Sequence, residues 1–214
     1  MRERMEDNAK NAYEKAISYL EGNRAEYSLG KGIVHLKEAA DLGHPKAQYN
    51  LGICLHEGTG ILQSYEKAYH YFQKAAQQGH SRAIYMLGCY FTFGFFVEPC
   101  DERAADYFQI AATAGISEAQ YNLGVCLLTG KGILRSEKEA VHYFQIAAEQ
   151  GNPEAQYNLG ISYYKGIGVL ASEEDATHYL ELALRQGHPR AARALEEIMM
   201  RPSKHHSKSK LRIL

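Results

Sequence analysis

Proline occurs only five times in these 214 residues and cysteine only four. Scarce proline leaves room for long uninterrupted helices. With 45% hydrophobic residues and 16 tyrosines, the chain is too apolar to stay disordered. The cysteines (Cys54, Cys89, Cys100, Cys126) are irregularly spaced and mostly fall where the pattern is apolar. Reduced thiols serving as small hydrophobes are therefore expected in place of a disulfide framework or a zinc site. Long apolar runs are also missing. The opening Met1-Arg-Glu-Arg-Met-Glu-Asp is charged and passes straight into an amphipathic pattern, so the expectation is a soluble, cytoplasmic protein with no signal peptide and no membrane span.

No large excess of charge exists, the formal net value being -1. Five of the 24 basic residues and none of the 25 acidic ones lie in the segment 201–214, so the remainder is acidic by about six charges. An acidic body argues against nucleic acid as the main partner, which would need a basic face. The short segment 201–214 is expected to be a flexible, solvated basic tail, with weak metal binding at His205-His206 or nuclear entry as the alternative reading.

Glycine, by contrast, is plentiful at 19 and strictly periodic. Ala47-Gln-Tyr-Asn-Leu-Gly52 returns as Ala83-Ile-Tyr-Met-Leu-Gly88, Ala119-Gln-Tyr-Asn-Leu-Gly124 and Ala155-Gln-Tyr-Asn-Leu-Gly160, each 36 residues on. Gly43, Gly79, Gly115, Gly151 and Gly187 form a second column at the same spacing. A fixed period of this length signals stacked supersecondary units. Ala47, Leu51 and Leu55 stand at i, i+4 and i+8, the stripe of one helix, which Pro45, Pro153 and Pro189 open at the first turn of their copies. Ala68, Phe72, Ala75 and Ala76 mark a second helix ending at Gly79, a glycine free to take positive φ. Gly52 and its equivalents cost roughly 1 kcal/mol inside a helix, so they are expected where two helices approach closely. The loops Gly58-Thr-Gly60-Ile61, Gly130-Lys-Gly132-Ile133 and Gly166-Ile-Gly168-Val169 turn the chain, and their aliphatic residue is expected to plug back between the helices.

These motifs resemble the Sel-one-like repeat family, relatives of the tetratricopeptide repeat, from about Tyr13 to Ala192. The resemblance implies an all-α, right-handed α-solenoid of antiparallel helix pairs with 36-residue repeats. The expected layout is one solenoid over 1–200, with repeats at about 9–44, 45–80, 81–116, 117–152 and 153–188 and a terminal helix over 189–200. It also implies a non-catalytic scaffold or adaptor that binds a partner protein or extended peptide in a concave groove lined by the first helix of each repeat. The rival readings are a regulatory or hydrolase-like enzyme of the cysteine-rich type, whose regular Cys pairs are absent here, and a self-assembling structural protein. The first repeat keeps Tyr13, Ala16, Gly22, Leu36 and Ala39-Ala40 but lacks the Tyr-Asn-Leu-Gly stretch, as a capping repeat does.

Catalytic and metal chemistry finds little support in the residues. The Gly-x-Gly loops are never followed by the Gly-Lys-Ser/Thr of a phosphate loop, so no nucleotide and no other cofactor is expected. His70, His142 and His178 recur at one helical position, and stacked repeats hold equivalent side chains roughly 10 Å apart, too far to share one metal ion. His44, His80 and His188 follow the helix-ending glycine and are expected at helix N-terminal boundaries, where Asn152 fills the same slot. The candidate binding residues are the Tyr column (Tyr49, Tyr85, Tyr121, Tyr157) and the Asn column (Asn50, Asn122, Asn158). Asn can pair with both polar groups of an extended peptide, and Tyr offers a rigid plate with a polar tip; the alternative is that both columns hold neighbouring repeats together. In the third repeat the groove stripe becomes Met86, Cys89 and Phe93, and Phe95 and Phe96 follow in a loop that elsewhere carries glycine. That cluster is expected either to anchor the partner or to fold back as a core plug. Monomer is the favoured oligomeric state.

Overall fold

The computed structural model describes residues 2–21 and 28–200; the tail 201–214, with its basic residues and His205-His206, and Gly22 lie outside the described residues. Eleven helices and no strand occur among them, from α1 (Arg2–Glu21) and α2 (Leu29–Asp41) to α11 (Ala191–Met199). Between these lie four pairs: α3 (Pro45–Glu57) with α4 (Tyr65–Gln77), α5 (Ser81–Phe93) with α6 (Asp101–Thr113), α7 (Ser117–Thr129) with α8 (Glu137–Glu149), and α9 (Pro153–Lys165) with α10 (Glu173–Arg185). Each of these eight helices is 13 residues long. Successive helices pack side by side, and α9 with α11 is the one non-consecutive pair with more than marginal contact among the described residues. The core is consequently a long seam in which Leu51, Leu87, Leu123 and Leu159 are buried with Phe72, Phe108 and Phe144, and Leu180 lies in a smaller cluster with Ala194 and Leu195.

The glycine columns have the geometry their spacing demands. Gly43, Gly79, Gly115, Gly151 and Gly187 all have φ between 79° and 94°, the left-handed turn that ends a helix without a Cβ penalty. Inside the first helices, a Cβ on Gly52, Gly88 or Gly124 would fall 2.6 Å from the ring of Phe72, Phe108 or Phe144, and on Gly160 2.8 Å from Leu180 Cγ. The glycine is thus the socket for the large side chain of the paired second helix. Ile61, Ile133 and Val169 are partly buried against the core, so the loop aliphatics do plug back.

Helix starts follow from the caps. Pro45 and Pro153 stand in the first turn of α3 and α9. The terminal helix departs from expectation: α11 begins at Ala191, and Pro189 and Arg190 form a turn before it. The reason lies in His188, which is buried, places Nε2 3.0 Å from Glu154 Oε2, and receives the Arg190 N–H on Nδ1 at 3.4 Å. That anchoring shifts the helix start two residues on.

Candidate partner-binding site

Tyrosine and asparagine of consecutive first helices meet across the repeat boundary. Asn50 Nδ2 donates to the Tyr13 hydroxyl at 3.2 Å, and Asn122 Nδ2 to that of Tyr85 at 3.4 Å. The Tyr121 hydroxyl is likewise bonded to Asn158. Each Tyr ring leans on the second helix of its own repeat, Tyr49 on Phe72, Tyr85 on Phe108 and Tyr121 on Phe144, at 5.9–6.1 Å between centroids. Where the junction residue is histidine, the ring also stacks on it: Tyr13 on His44, Tyr49 on His80 and Tyr157 on His188, at 4.3–4.6 Å. Burial raises the pKa of Tyr49, Tyr85 and Tyr121. Both columns therefore join neighbouring repeats, while their half-exposed outer edges remain on the first-helix face.

The junction histidines have a second job. His44 Nδ1 accepts the Ala47 N–H at 3.2 Å and His80 Nδ1 that of Ala83 at 3.3 Å, as Asn152 Oδ1 accepts that of Ala155 at 2.9 Å. Burial lowers the pKa of both histidines, in keeping with a ring nitrogen that must stay unprotonated to accept. His70, His142 and His178 are exposed on the second helices, and the four cysteines are free thiols.

A buried glutamine ladder escaped the sequence reading. Gln48 Nε2 donates to the Ala40 carbonyl at 3.1 Å, and Gln78 Nε2 donates to Gln48 Oε1 at 2.8 Å. The pattern recurs as Gln120 with Ala112 and Gln150, and as Gln156 with Ala148 and Gln186. In the third repeat both partners change together, to Ile84 and Ala114. That paired loss, 30 residues apart in every copy, was the available signal.

The same repeat is rebuilt at its loop. Gly60, Gly132 and Gly168 all have φ between 67° and 70°, and Phe96 stands in their column with φ 66°, the single positive-φ non-glycine among the described residues. A left-handed phenylalanine costs roughly 1–2 kcal/mol of backbone strain. Cys100 likewise replaces the serine that caps α4, α8 and α10, and makes no cap bond.

Phe93, at the end of α5, and the loop residues Phe95 and Phe96 part company in this setting. Phe95 is half-buried, stacked on Tyr65 at 4.9 Å and edge-on to Tyr90 at 5.5 Å and His56 at 5.2 Å. Phe96 leans on Tyr69 and His70 but keeps 51% of its surface exposed, and Phe93 keeps 67%. Met86 and Cys89 are half-buried beside the core, the Cys89 thiol bonded to the Tyr85 hydroxyl.

The model of the Sel1 repeat matches residues 12–44, 45–80, 81–116, 117–152 and 153–188. No curated protein sequence matches the chain. Among solved structures, it is similar to a Sel1 repeat protein from Oxalobacter formigenes, with 27% identity and a TM-score of 0.82 over 90% of this chain and 77% of that one. A protective antigen of uropathogenic Escherichia coli with an SLR fold is 26% identical, with a TM-score of 0.81 over 89% of this chain. This chain spans only 41% of that antigen. An immunity protein of Pseudomonas aeruginosa, PA5088, shares the fold at 20% identity and a TM-score of 0.58 over 92% of this chain and 76% of that one.

Proposed function

Since the chain belongs to the Sel1 repeat family, whose members are generally non-enzymatic protein-interaction scaffolds, we propose that it is an adaptor that binds an extended segment of a partner protein along its first-helix face, anchored at the third repeat. Three features support this reading. The second, fourth and fifth repeats share a loop glycine, a capping serine and a glutamine pair, whereas the third trades them for Phe96, Cys100 and Ile84 with Ala114. Those trades cost stability, so they are not explained by folding alone. The observation that carries most weight is that Phe93 and Phe96 remain 67% and 51% exposed. Exposed aromatic residues flanking one loop, with Met86 two turns before Phe93 on α5, are what an interface anchor requires. Tyr49, Tyr121 and Tyr157, with Asn50, Asn122 and Asn158, extend the same face on either side and supply amide and phenolic groups for a peptide backbone.

No helix among the described residues is long and apolar enough to cross a membrane. The anchor is tested by selecting 12-residue peptides from a random display library on the full chain and measuring their Kd by calorimetry against wild type, Phe93→Ala, Phe96→Ala and Phe95→Ala. A hot spot predicts a loss of about 2 kcal/mol for Phe93→Ala or Phe96→Ala without a fall in Tm. Phe95→Ala, which removes a ring packed on Tyr65 and Tyr90, should lower Tm and leave Kd near wild type. Unchanged Kd in both exposed variants would end the anchor reading.

A further inference from the structure

The space beside the first helix is finished differently at two neighbouring repeat boundaries. Between the second and third repeats, Tyr90 fills it. Its ring is fully buried, edge-on to Phe72 at 5.6 Å and to Phe95 at 5.5 Å, and its hydroxyl lies 3.1 Å from His56 Nδ1. One repeat later, Tyr90 becomes Cys126 and Phe95 becomes Lys131. The equivalent space between α5, α6 and α7 is then a cavity of about 190 Å³ walled by Phe93, Phe108, Val125 and Cys126.

We infer that this cavity receives an aromatic side chain, tyrosine or phenylalanine, from the partner polypeptide; the inference rests on the partner-binding reading above and names its anchor. The molecule carries its own precedent, because the Phe108 wall has its counterpart one repeat earlier in Phe72, which there packs edge-on against the Tyr90 ring. The size agrees, since an apolar cavity of about 150 Å³ suffices for benzene. The wall Phe93 is 67% exposed, so an entering ring would meet it in the edge-on or offset contact that aromatic pairs prefer. Thr92 stands at the place of His56, which faces the Tyr90 hydroxyl. Its Oγ1 donates to the Gly88 carbonyl at 3.0 Å, leaving lone pairs to accept a partner phenol. The exposed Asp101 and Lys131 also border the cavity. Neither has an ion pair among the described residues, and together they offer an acceptor and a donor to the flanking peptide backbone.

The experiment titrates the ¹⁵N-labelled full chain with N-acetyl-tyrosinamide, N-acetyl-phenylalaninamide and, as control, N-acetyl-leucinamide, following the amides of Val125, Cys126 and Thr129. Saturable shifts are expected with the two aromatic amides, with affinity roughly five-fold above that of the leucine amide. The double variant Cys126→Tyr/Lys131→Phe, which copies the filled junction, should abolish those shifts while the rest of the spectrum stays folded. If that variant fails to fold, Phe93→Ala serves instead, since it removes a largely exposed wall and should weaken the aromatic amides several-fold. No shift at these amides, or equal affinity for leucine, overturns the inference. In parallel, the displayed peptides selected above should share an aromatic residue and lose binding to the filled variant. Peptides that bind the filled variant equally well, or share no aromatic, overturn the inference while leaving the adaptor reading intact. A library that yields no binder at all sinks the adaptor reading, and the amide titration still reports on the cavity independently.

Discussion

Replacing Gly124 by alanine sets two familiar effects against each other. In an exposed helix the change would stabilise by about 1 kcal/mol, because glycine carries the greater conformational entropy. Here the new Cβ would lie 2.6 Å and 2.7 Å from Phe144 Cε1 and Cδ1, and 3.2 Å from the Ala140 carbonyl oxygen, where carbon atoms prefer about 3.5–4.0 Å. Overpacking of this kind costs about 1–3 kcal/mol. Overlap therefore wins, and Gly124→Ala should destabilise by roughly 1 kcal/mol, a fall in Tm of about 2–4 °C for a chain of this size. Gly124→Leu, with three more carbons against the same ring, should cost several kcal/mol. The sharper test removes the ring. In a Phe144→Ala background the main clash is gone, and Gly124→Ala should turn neutral or stabilising by up to about 1 kcal/mol, giving a coupling of about 1–2 kcal/mol. Urea titrations followed by far-ultraviolet circular dichroism measure all four proteins. Because repeat arrays unfold with limited cooperativity, amide exchange in α7 should be read alongside. A rise in the wild-type midpoint on Gly124→Ala would refute the socket.

Acid should loosen the junctions. His44 and His80 accept backbone N–H groups and have lowered pKa values through burial, so the unfolded chain binds their protons first. Their contribution is complete above the unfolded value of about 6.5 and is lost as pH falls through and below it. His44→Asn/His80→Asn, which copies the Asn152 cap, should flatten the fall of Tm between about pH 7 and 5, with His56, also lowered by burial, supplying what slope remains. Gln120→Ile should cost about 1 kcal/mol by removing the hydrogen bonds that Gln120 makes to the Ala112 carbonyl and the exposed Gln150 amide. Adding Gln150→Ala, which completes the Ile84 and Ala114 arrangement of the third repeat, should recover part of that loss in the same urea assay. Deleting residues 117–152 should leave a shorter folded protein with wild-type helicity per residue, because Gln156 would meet the Ala112 carbonyl that Gln120 uses now; loss of helical circular dichroism would contradict the stacked architecture.

The repeat was legible because glycine, proline and alanine act through the backbone, and the columns at Gly43, Ala47 and Gly52 persist through the four repeats from 45 to 188. The start of the terminal helix lies two residues beyond the Pro189 signal, and the contact that accompanies it runs from His188 to Glu154, 34 residues away in sequence. The glutamine ladder stayed hidden for a similar reason. Gln48 sits beside the apolar stripe and looks solvated until its partner from the following helix, Gln78, is placed over it. At the candidate site, the Phe cluster stood out as composition, but its division into a half-buried Phe95 and exposed Phe93 and Phe96 depends on Tyr65, Tyr69 and Tyr90. Aligning the loops would have shown Phe96 beneath Gly60, Gly132 and Gly168, the one signal that a strained backbone lay there.

Filling one hollow with Tyr90 and Phe95 and leaving the next one open makes the stack a row of joints of unequal stiffness. Bending at a packed joint must pry interlocking rings apart and lose their contacts outright. At the neighbouring joint the same bend meets only a thiol and a lysine stem. The Tyr90 position carries Cys54, Cys126 and Ser162 at the other boundaries, so thermal bending should be least between α4 and α5 and fall on the remaining joints, that between α6 and α7 among them. A ring seated in the open hollow would stiffen that joint as Tyr90 stiffens its neighbour, so occupation of one small cavity would set the curvature of the whole face.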